Sequence, residues 1–207
     1  MLEIAYLDLR ANRAAATTPA IIYSQGTTLR IHDCNFLGRG VGQSCDQDAI
    51  VLGGKTVATQ FQGYGTVIEK NYFQQTRRGI YAQVAANCLV FQNNFFGGSC
   101  GAADGTAGAI EVDGILGYGY ANGNLISGNC IEMPNYVYGI RLANSGQNTL
   151  VGNMFVDVDP TRCLGNVRCE ATAKGNLILG GFGDIRVPML SEATPGTNNQ
   201  IVTGWAA

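Results

Sequence analysis

Charge is scarce in this chain. Only 14% of its 207 residues are Asp, Glu, Lys or Arg, and the formal net charge is −2. That leaves no basic patch of the kind that nucleic-acid binding needs, so no nucleic-acid partner is expected. No apolar run is long enough to span a bilayer, so no membrane insertion is expected either. No stretch sustains the 3.6-residue periodicity of Ala, Leu, Glu and Lys that long amphipathic helices require. There is a single histidine, His32, and no CxxC pair, so neither a zinc site nor any other cofactor is expected. The seven cysteines are an odd number. Cys163 and Cys169 could close a small disulfide loop, but free, partly buried thiols are the preferred reading. That reading fits an unexported or viral protein folded in a reducing cytosol. The opening Met1-Leu2-Glu3 lacks the basic and then apolar start of a signal peptide, so export by that route is not expected.

What the chain has is glycine and repetition. Its 29 glycines are roughly twice the usual share of about 7%. Short apolar runs broken by Gly, Asn and Ser recur throughout, which is the pattern of many short strands. One phrase returns along the chain: apolar, two residues, usually Asn, one residue, apolar. It reads Ile68 to Phe73 with Asn71, Phe91 to Phe96 with Asn94, Ile126 to Ile131 with Asn129, and Leu150 to Phe155 with Asn153. Weaker copies run from Ile4 to Leu9, from Ile31 to Phe36, and from Leu177 to Phe182, and Ile201 begins an incomplete one. The copies are spaced by 27, 37, 23, 35, 24, 27 and 24 residues.

A second phrase, a small residue followed by Ile, falls between the copies of the first. It appears as Ala20-Ile21, Ala49-Ile50, Gly79-Ile80, Ala109-Ile110 and Gly139-Ile140, with Asn166-Val167 as a variant. Four successive Ile steps are 29, 30, 30 and 30 residues. In the last interval Ile185 and Leu190 are equal candidates. Two interleaved periods from residue 4 to residue 201 predict a solenoid. In each strand alternate side chains point inward, and like residues of successive coils stack about 4.8 Å apart. Asn71, Asn94, Asn129 and Asn153 are therefore expected to form an internal ladder of amides, a structural feature and not a functional one.

The segments GIYAQVAANCLVFQNNFFGG (79–98) and YGIRLANSGQNTLVGNMFVDV (138–158) resemble the parallel β-helix repeats of carbohydrate-binding proteins and sugar hydrolases. That group includes pectate-lyase-like enzymes and bacteriophage tailspikes. The resemblance covers nearly the whole chain. It implies an all-β fold, a right-handed single-stranded parallel β-helix of about seven coils. Residues 1–207 then form one domain, complete or a section of a longer protein. The coil pattern runs from Ile4 to Ile201, so both ends read as uncapped. The resemblance is strongest to a tailspike, which implies a homotrimer on a phage tail that engages a host-surface polysaccharide and either cleaves it or only binds it. A free-standing hydrolase or lyase, secreted without a recognisable signal peptide, and an inactive structural shaft are the alternatives.

Sites are sought on the outer face, because the repeat residues build the core. One residue past each inward Ile gives an outward column of Ile22, Val51, Tyr81, Glu111, Arg141 and Arg168. Gln83, Asp113 and Glu170 lie two residues further along three of the strands. Insertions at 38–48, 53–65, 98–108 and 113–124 are expected to wall a trough over Tyr81, with Tyr64, Tyr118 and Tyr120 in the walls. Tyr81, Arg77, Arg78, Gln83 and Arg141 are the expected carbohydrate-binding residues, through ring stacking and hydrogen bonds. Glu111 and Asp113, two apart on one strand and so roughly 6.5–7 Å apart at the backbone, are the expected catalytic pair of a hydrolase. Asp46, Asp48 and Asp104 are alternative partners. A lyase would lack a placed base. His32 is expected to be structural. The competing expectation for the charged column is a solvated face. The homotrimer expectation rests on the exposed apolar ends and on an outward apolar stripe of Ile22 and Val51.

Overall fold

A computed structural model describes residues 1–11, 20–26, 28–38, 47–54, 63–96, 108–114, 121–134, 136–183, 186–193 and 198–202. Among them there is no helix. The strands stack in parallel into three main sheets of eight, six and seven strands, with one short two-stranded sheet beside them. This is the parallel β-helix that the repeat predicts. Sheet A runs from Leu2–Ala5 through Leu29–His32, Val67–Glu69, Leu89–Phe91, Leu125–Ser127, Thr149–Val151 and Leu177–Leu179 to Gln200–Val202. Sheet B runs from Asp8–Arg10 to Met154–Val156, and sheet C from Ala20–Ser24 to Leu190–Glu192.

The core is a set of stacked columns. Ile31, Ile68, Ile126 and Leu150 are buried on sheet A, and Ile50, Ile80, Ile110 and Ile140 on sheet C. On sheet B the rings of Phe36, Phe73 and Phe95 stack at centroid distances of 4.9 and 4.7 Å. The small residue before each sheet C isoleucine has a direct cause. A Cβ at Gly79 would lie 2.3 Å from the Phe95 ring, and one at Gly139 would lie 2.4 Å from Phe155. The phenylalanines of sheet B fill the space that a side chain there would need.

The asparagine ladder is present, with one residue corrected. It runs through Asn71, Asn93, Asn129 and Asn153, with amide-to-amide distances of 3.1, 3.1 and 2.9 Å. Each Nδ2 also donates to a core-strand carbonyl one coil away, as Asn93 does to Ile68 at 3.0 Å. Asn94 is exposed and takes no part in it. Val90, not Phe91, pairs with Ile68 and Ile126, and Ile178, not Leu177, pairs with Leu150 and Ile201. A second ladder, through Asn124, Asn148, Asn176 and Asn199, closes the other end of sheet A at 2.9, 2.9 and 2.8 Å. The residue before each ladder asparagine has positive φ, as at Gln92 (φ 55), Gly128 (φ 60) and Gly152 (φ 58). That left-handed turn swings the chain from one sheet to the next and aims the amide inward.

Sheet C carries a further correction. Ile22, not Ile21, pairs with Ile50, so Ile22 packs against the core and Tyr23 takes the outward place beside Val51. Leu190 pairs with Val167 and fills the last core position on this sheet. Val51 is 3% exposed, clustered with Ala20 and Tyr81. Neither Ile22 nor Val51 therefore presents the apolar stripe on which the trimer expectation rests.

Candidate functional site

The outward column of sheet C reads Tyr23, Val51, Tyr81, Glu111, Arg141, Arg168 and Ser191 in continuous register. Stacking puts charged residues about 30 positions apart in the sequence within reach of one another. Arg77 binds Asp48 through two hydrogen bonds, Nε to Oδ1 at 2.8 Å and Nη2 to Oδ2 at 2.7 Å. Arg78 grips the same carboxylate at 2.9 and 2.8 Å and turns its Nη1 to Glu111 Oε2 at 2.9 Å. Arg141 stands 3.6 Å from that oxygen and donates Nε to Glu170 Oε1 at 2.9 Å. Arg168 closes the series on Glu170 Oε2 at 3.3 Å and on Ser191 Oγ at 2.7 Å.

The ribbon is deeply set at one end and shallower at the other. The side chains of Asp48 and Glu111 are 1% and 2% exposed, whereas those of Arg141, Arg168 and Glu170 are 19%, 20% and 25% exposed. Burial works to lower the Arg78 pKa, but the Asp48 and Glu111 carboxylates outweigh it and raise it. Burial likewise opposes ionisation of Glu170, and the flanking Arg141 and Arg168 overcome it and hold its pKa below the ordinary value.

The expected site residues now have definite places. Arg77, Arg78, Tyr81, Glu111, Asp113 and Arg141 come together on one face. Gln83 follows on the Tyr81 strand and is partly exposed. The ring face of Tyr81 is covered, with the Arg78 guanidinium 3.6 Å from its centroid and its hydroxyl 3.2 Å from Asp113 Oδ2. Asp113 also accepts from Asn144 Nδ2 at 2.9 Å, and Glu111 Oε1 accepts the Gly108 N–H at 2.9 Å. Both carboxylates are thus engaged by protein donors, at 1% exposure for Glu111 and 6% for Asp113. Asp48 sits at the start of a sheet C strand under the two arginines. Asp46, Asp104, Tyr118, Tyr120 and most of the expected trough walls lie outside the described residues. Tyr64 is exposed.

Tyr23 is the residue that sequence reasoning missed. It is 48% exposed, and its hydroxyl accepts from Gln25 Nε2 at 2.8 Å. Gly54 permits this placement, because a Cβ there would lie 2.4 Å from the Tyr23 oxygen. His32 lies on sheet A, with Nδ1 2.7 Å from Asp33 and Nε2 2.8 Å from Glu3.

A family model described as periplasmic copper-binding protein (NosD) matches residues 8–180. No curated protein matches the chain.

Proposed function

The chain belongs to the NosD family, and from that membership and the geometry of sheet C we propose an extracytoplasmic β-helix that binds a neutral glycan without cleaving it. One observation carries this reading. Among the described residues, four arginines, Arg77, Arg78, Arg141 and Arg168, share this face with four carboxylates, pairing with Asp48, Glu111 and Glu170 while Asp113 takes Tyr81 and Asn144 as donors, so the face is polar and charge-balanced. A balanced face offers planar donors beside acceptors, which suits hydroxyl groups; a polyuronate would need a surplus of cations. Tyr23, at one end of the column, supplies the exposed ring on which a pyranose can stack.

The commitment of Glu111 and Asp113 to protein donors supports binding over hydrolysis. A general acid must reach the glycosidic oxygen, and a general base must reach water. The family description speaks for a place outside the cytoplasm. The tailspike reading has only the repeat resemblance behind it, and the family match adds nothing to it.

Copper, which the family description names, does not fit the described residues. Among them no group of three His, Cys, Asp or Glu side chains could hold a metal ion. Both ring nitrogens of His32 are engaged by carboxylates, which favours the protonated imidazolium over the neutral ligand form. Burial raises the thiol pKa of Cys34, Cys88, Cys130 and Cys169, pushing Cys88 up to about 11 and Cys169 up to about 12.

The test is calorimetric titration with neutral and uronate oligosaccharides. A neutral ligand should bind, with affinity weakened severalfold or more in Arg141→Ala and Tyr23→Ala, and no oligosaccharide should be released on incubation with polymer. Preference for uronates, or release of fragments that Glu111→Gln abolishes, would replace this reading with a polyanion site or a hydrolase.

A further inference from the structure

The outer face of sheet C changes character where its strands turn toward sheet A. On the first three coils the chain there reads Tyr23-Ser24-Gln25, Val51-Leu52-Gly53-Gly54 and Tyr81-Ala82-Gln83, without a charged side chain. The pairing of Tyr23 with Val51 and of Val51 with Tyr81 continues past the strands. The Gly53 N–H donates to the Ser24 carbonyl and the Gln83 N–H to the Leu52 carbonyl, both at 2.7 Å. Alternation therefore sends Gln25 and Gln83 to the same side as Tyr23 and Tyr81. The two glutamines stand two coil spacings apart, about 9.6 Å, with a glycine in the coil between them.

Gly54 shapes this corner. A Cβ there would stand 2.4 Å from the Tyr23 hydroxyl oxygen and 2.8 Å from Gln25 Nε2. The missing side chain lets those two tips meet over the second coil, where Gln25 donates to the Tyr23 oxygen at 2.8 Å. Tyr23 keeps its own proton to donate, and Gln25 keeps its carbonyl oxygen and its second N–H. Gln83 is partly exposed and, among the described residues, makes no side-chain hydrogen bond. One exposed ring and two amides thus share a face, with donors and acceptors still free.

We infer that this corner is the specificity-determining end of the glycan site. It takes one neutral, unsubstituted sugar residue, with Tyr23, Gln25 and Gln83 as binding residues and Gly54 as the positioning residue for the first two. The corner has that role only if sheet C binds a glycan, and it narrows that reading to one sugar class. A sugar hydroxyl both donates and accepts, and the two amides and the phenol answer it in both senses. The Tyr23 ring supplies the apolar surface for the C–H side of the sugar. A carboxylate, sulfate or phosphate on that residue would find amide oxygens and no cation in the corner. The ribbon arginines are already paired with Asp48, Glu111 and Glu170.

Calorimetry and proton–nitrogen NMR of the full chain with maltohexaose, cellohexaose and mannohexaose test the assignment. On titration with a hexaose that binds, the side-chain amide signals of Gln25 and Gln83 should move, while that of Asn94, exposed on sheet B, stays. Gln25→Ala and Gln83→Ala identify those signals, and each should weaken binding about fivefold, the loss of one hydrogen bond. Gly54→Ala should weaken it as much with an unchanged melting temperature. Its φ lies outside the left-handed region, and the atoms its Cβ would displace are the ends of flexible side chains. In a Tyr23→Phe background the Gly54→Ala effect should shrink, because the hydroxyl it displaces is gone. Should Gly54→Ala fail to fold, the amide shifts of the parent chain decide alone. Still amide signals and undiminished binding in Gln25→Ala and Gln83→Ala, in a chain whose hexaose binding Arg141→Ala weakens, overturn the corner and leave the glycan reading standing. A parent chain that binds none of the three hexaoses overturns both.

Discussion

Sheets A and C wind together from the same coils, obey the same alternation and bury the same kind of aliphatic column, yet their outer faces have opposite chemistry. On sheet C Arg77, Arg78 and Arg141 find carboxylates one coil away and Arg168 finds one on its own strand, so that arginines and carboxylates interlock into a ribbon. On sheet A the outward rows beyond Glu69 carry no charge, with leucine, valine and phenylalanine interrupted by Ser127, Thr149 and Gln200, and ion pairing is confined to Glu3, Arg30, His32 and Glu69. A solenoid needs only its inward residues to fold. What each outer face carries is free to serve something else. The paired face presents donors beside acceptors, and the sheet A face presents partly exposed apolar side chains.

The sharpest way to break this contrast is Arg78→Met. Arg78 bridges two buried carboxylates, Asp48 and Glu111, so its loss leaves Asp48 to Arg77 alone and the buried Glu111 with only a 3.6 Å contact to Arg141. A destabilisation of about 3–5 kcal/mol is expected in urea denaturation. A change under about 1 kcal/mol would mean that water reaches those carboxylates and that the ribbon is an ordinary solvated surface.

The ladders that frame sheet A give the next largest effect. Asn93→Ala should cost about 1–3 kcal/mol, because it removes the acceptor of the buried Asn71 backbone N–H and side-chain amide and the donor to the Ile68 carbonyl. Asn94→Ala, one residue away and exposed, should stay within about 0.5 kcal/mol. Equal effects at the two positions would refute the register. Gly152→Ala should cost about 1–2 kcal/mol through its positive φ alone, since its Cβ position is open.

The smallest effect is the pH response of the charged zone on sheet A. Hydrogen bonds to Asp33 and then to Glu3 raise the His32 pKa above its ordinary 6.5, and His32 lowers that of Glu3 below its ordinary 4.5. The raised His32 value means that its contribution is complete below pH 6.5 and is lost as pH rises through the folded-state value. The lowered Glu3 value means that its contribution is complete above pH 4.5 and is lost as pH falls through the folded-state value. The contact is therefore strongest between pH 4.5 and 6.5. Proton NMR titration should place His32 above 6.5 and move it back toward that value in Glu3→Gln. An unmoved titration curve would show that the contact with Glu3 is not made in solution.

The registers that sequence reasoning misread share one cause. Each lies at a run of similar residues: Asn93-Asn94 with Phe95-Phe96, Ile21-Ile22, and Leu177-Ile178-Leu179. Either frame gives an apolar residue to the core and, in the first case, an asparagine to the ladder. A slip of one residue exchanges the two faces of the strand. Where the phrase holds a lone asparagine, as at Asn71, Asn129 and Asn153, the frame was legible. The second ladder was also written in the chain, as the five-residue spacing of Asn124 from Asn129 and of Asn148 from Asn153, but it was read only from one end.

By itself the sequence determined the fold. A recurrence of roughly 30 residues, with small residues before isoleucine and asparagine at the turns, admits few other ways to bury its apolar positions. It also brought Arg78, Tyr81, Glu111, Asp113 and Arg141 to one face, because strand alternation fixes side-chain direction once the frame is known. Only the tertiary structure decided what those residues do to one another. Arg78 meets Asp48 across 30 residues of chain and Glu111 across 33. That contact is set by how the coils stack and by which rotamers the stack leaves room for. The same stacking covered the ring of Tyr81, opened that of Tyr23 and left sheet A's aliphatic rows facing out.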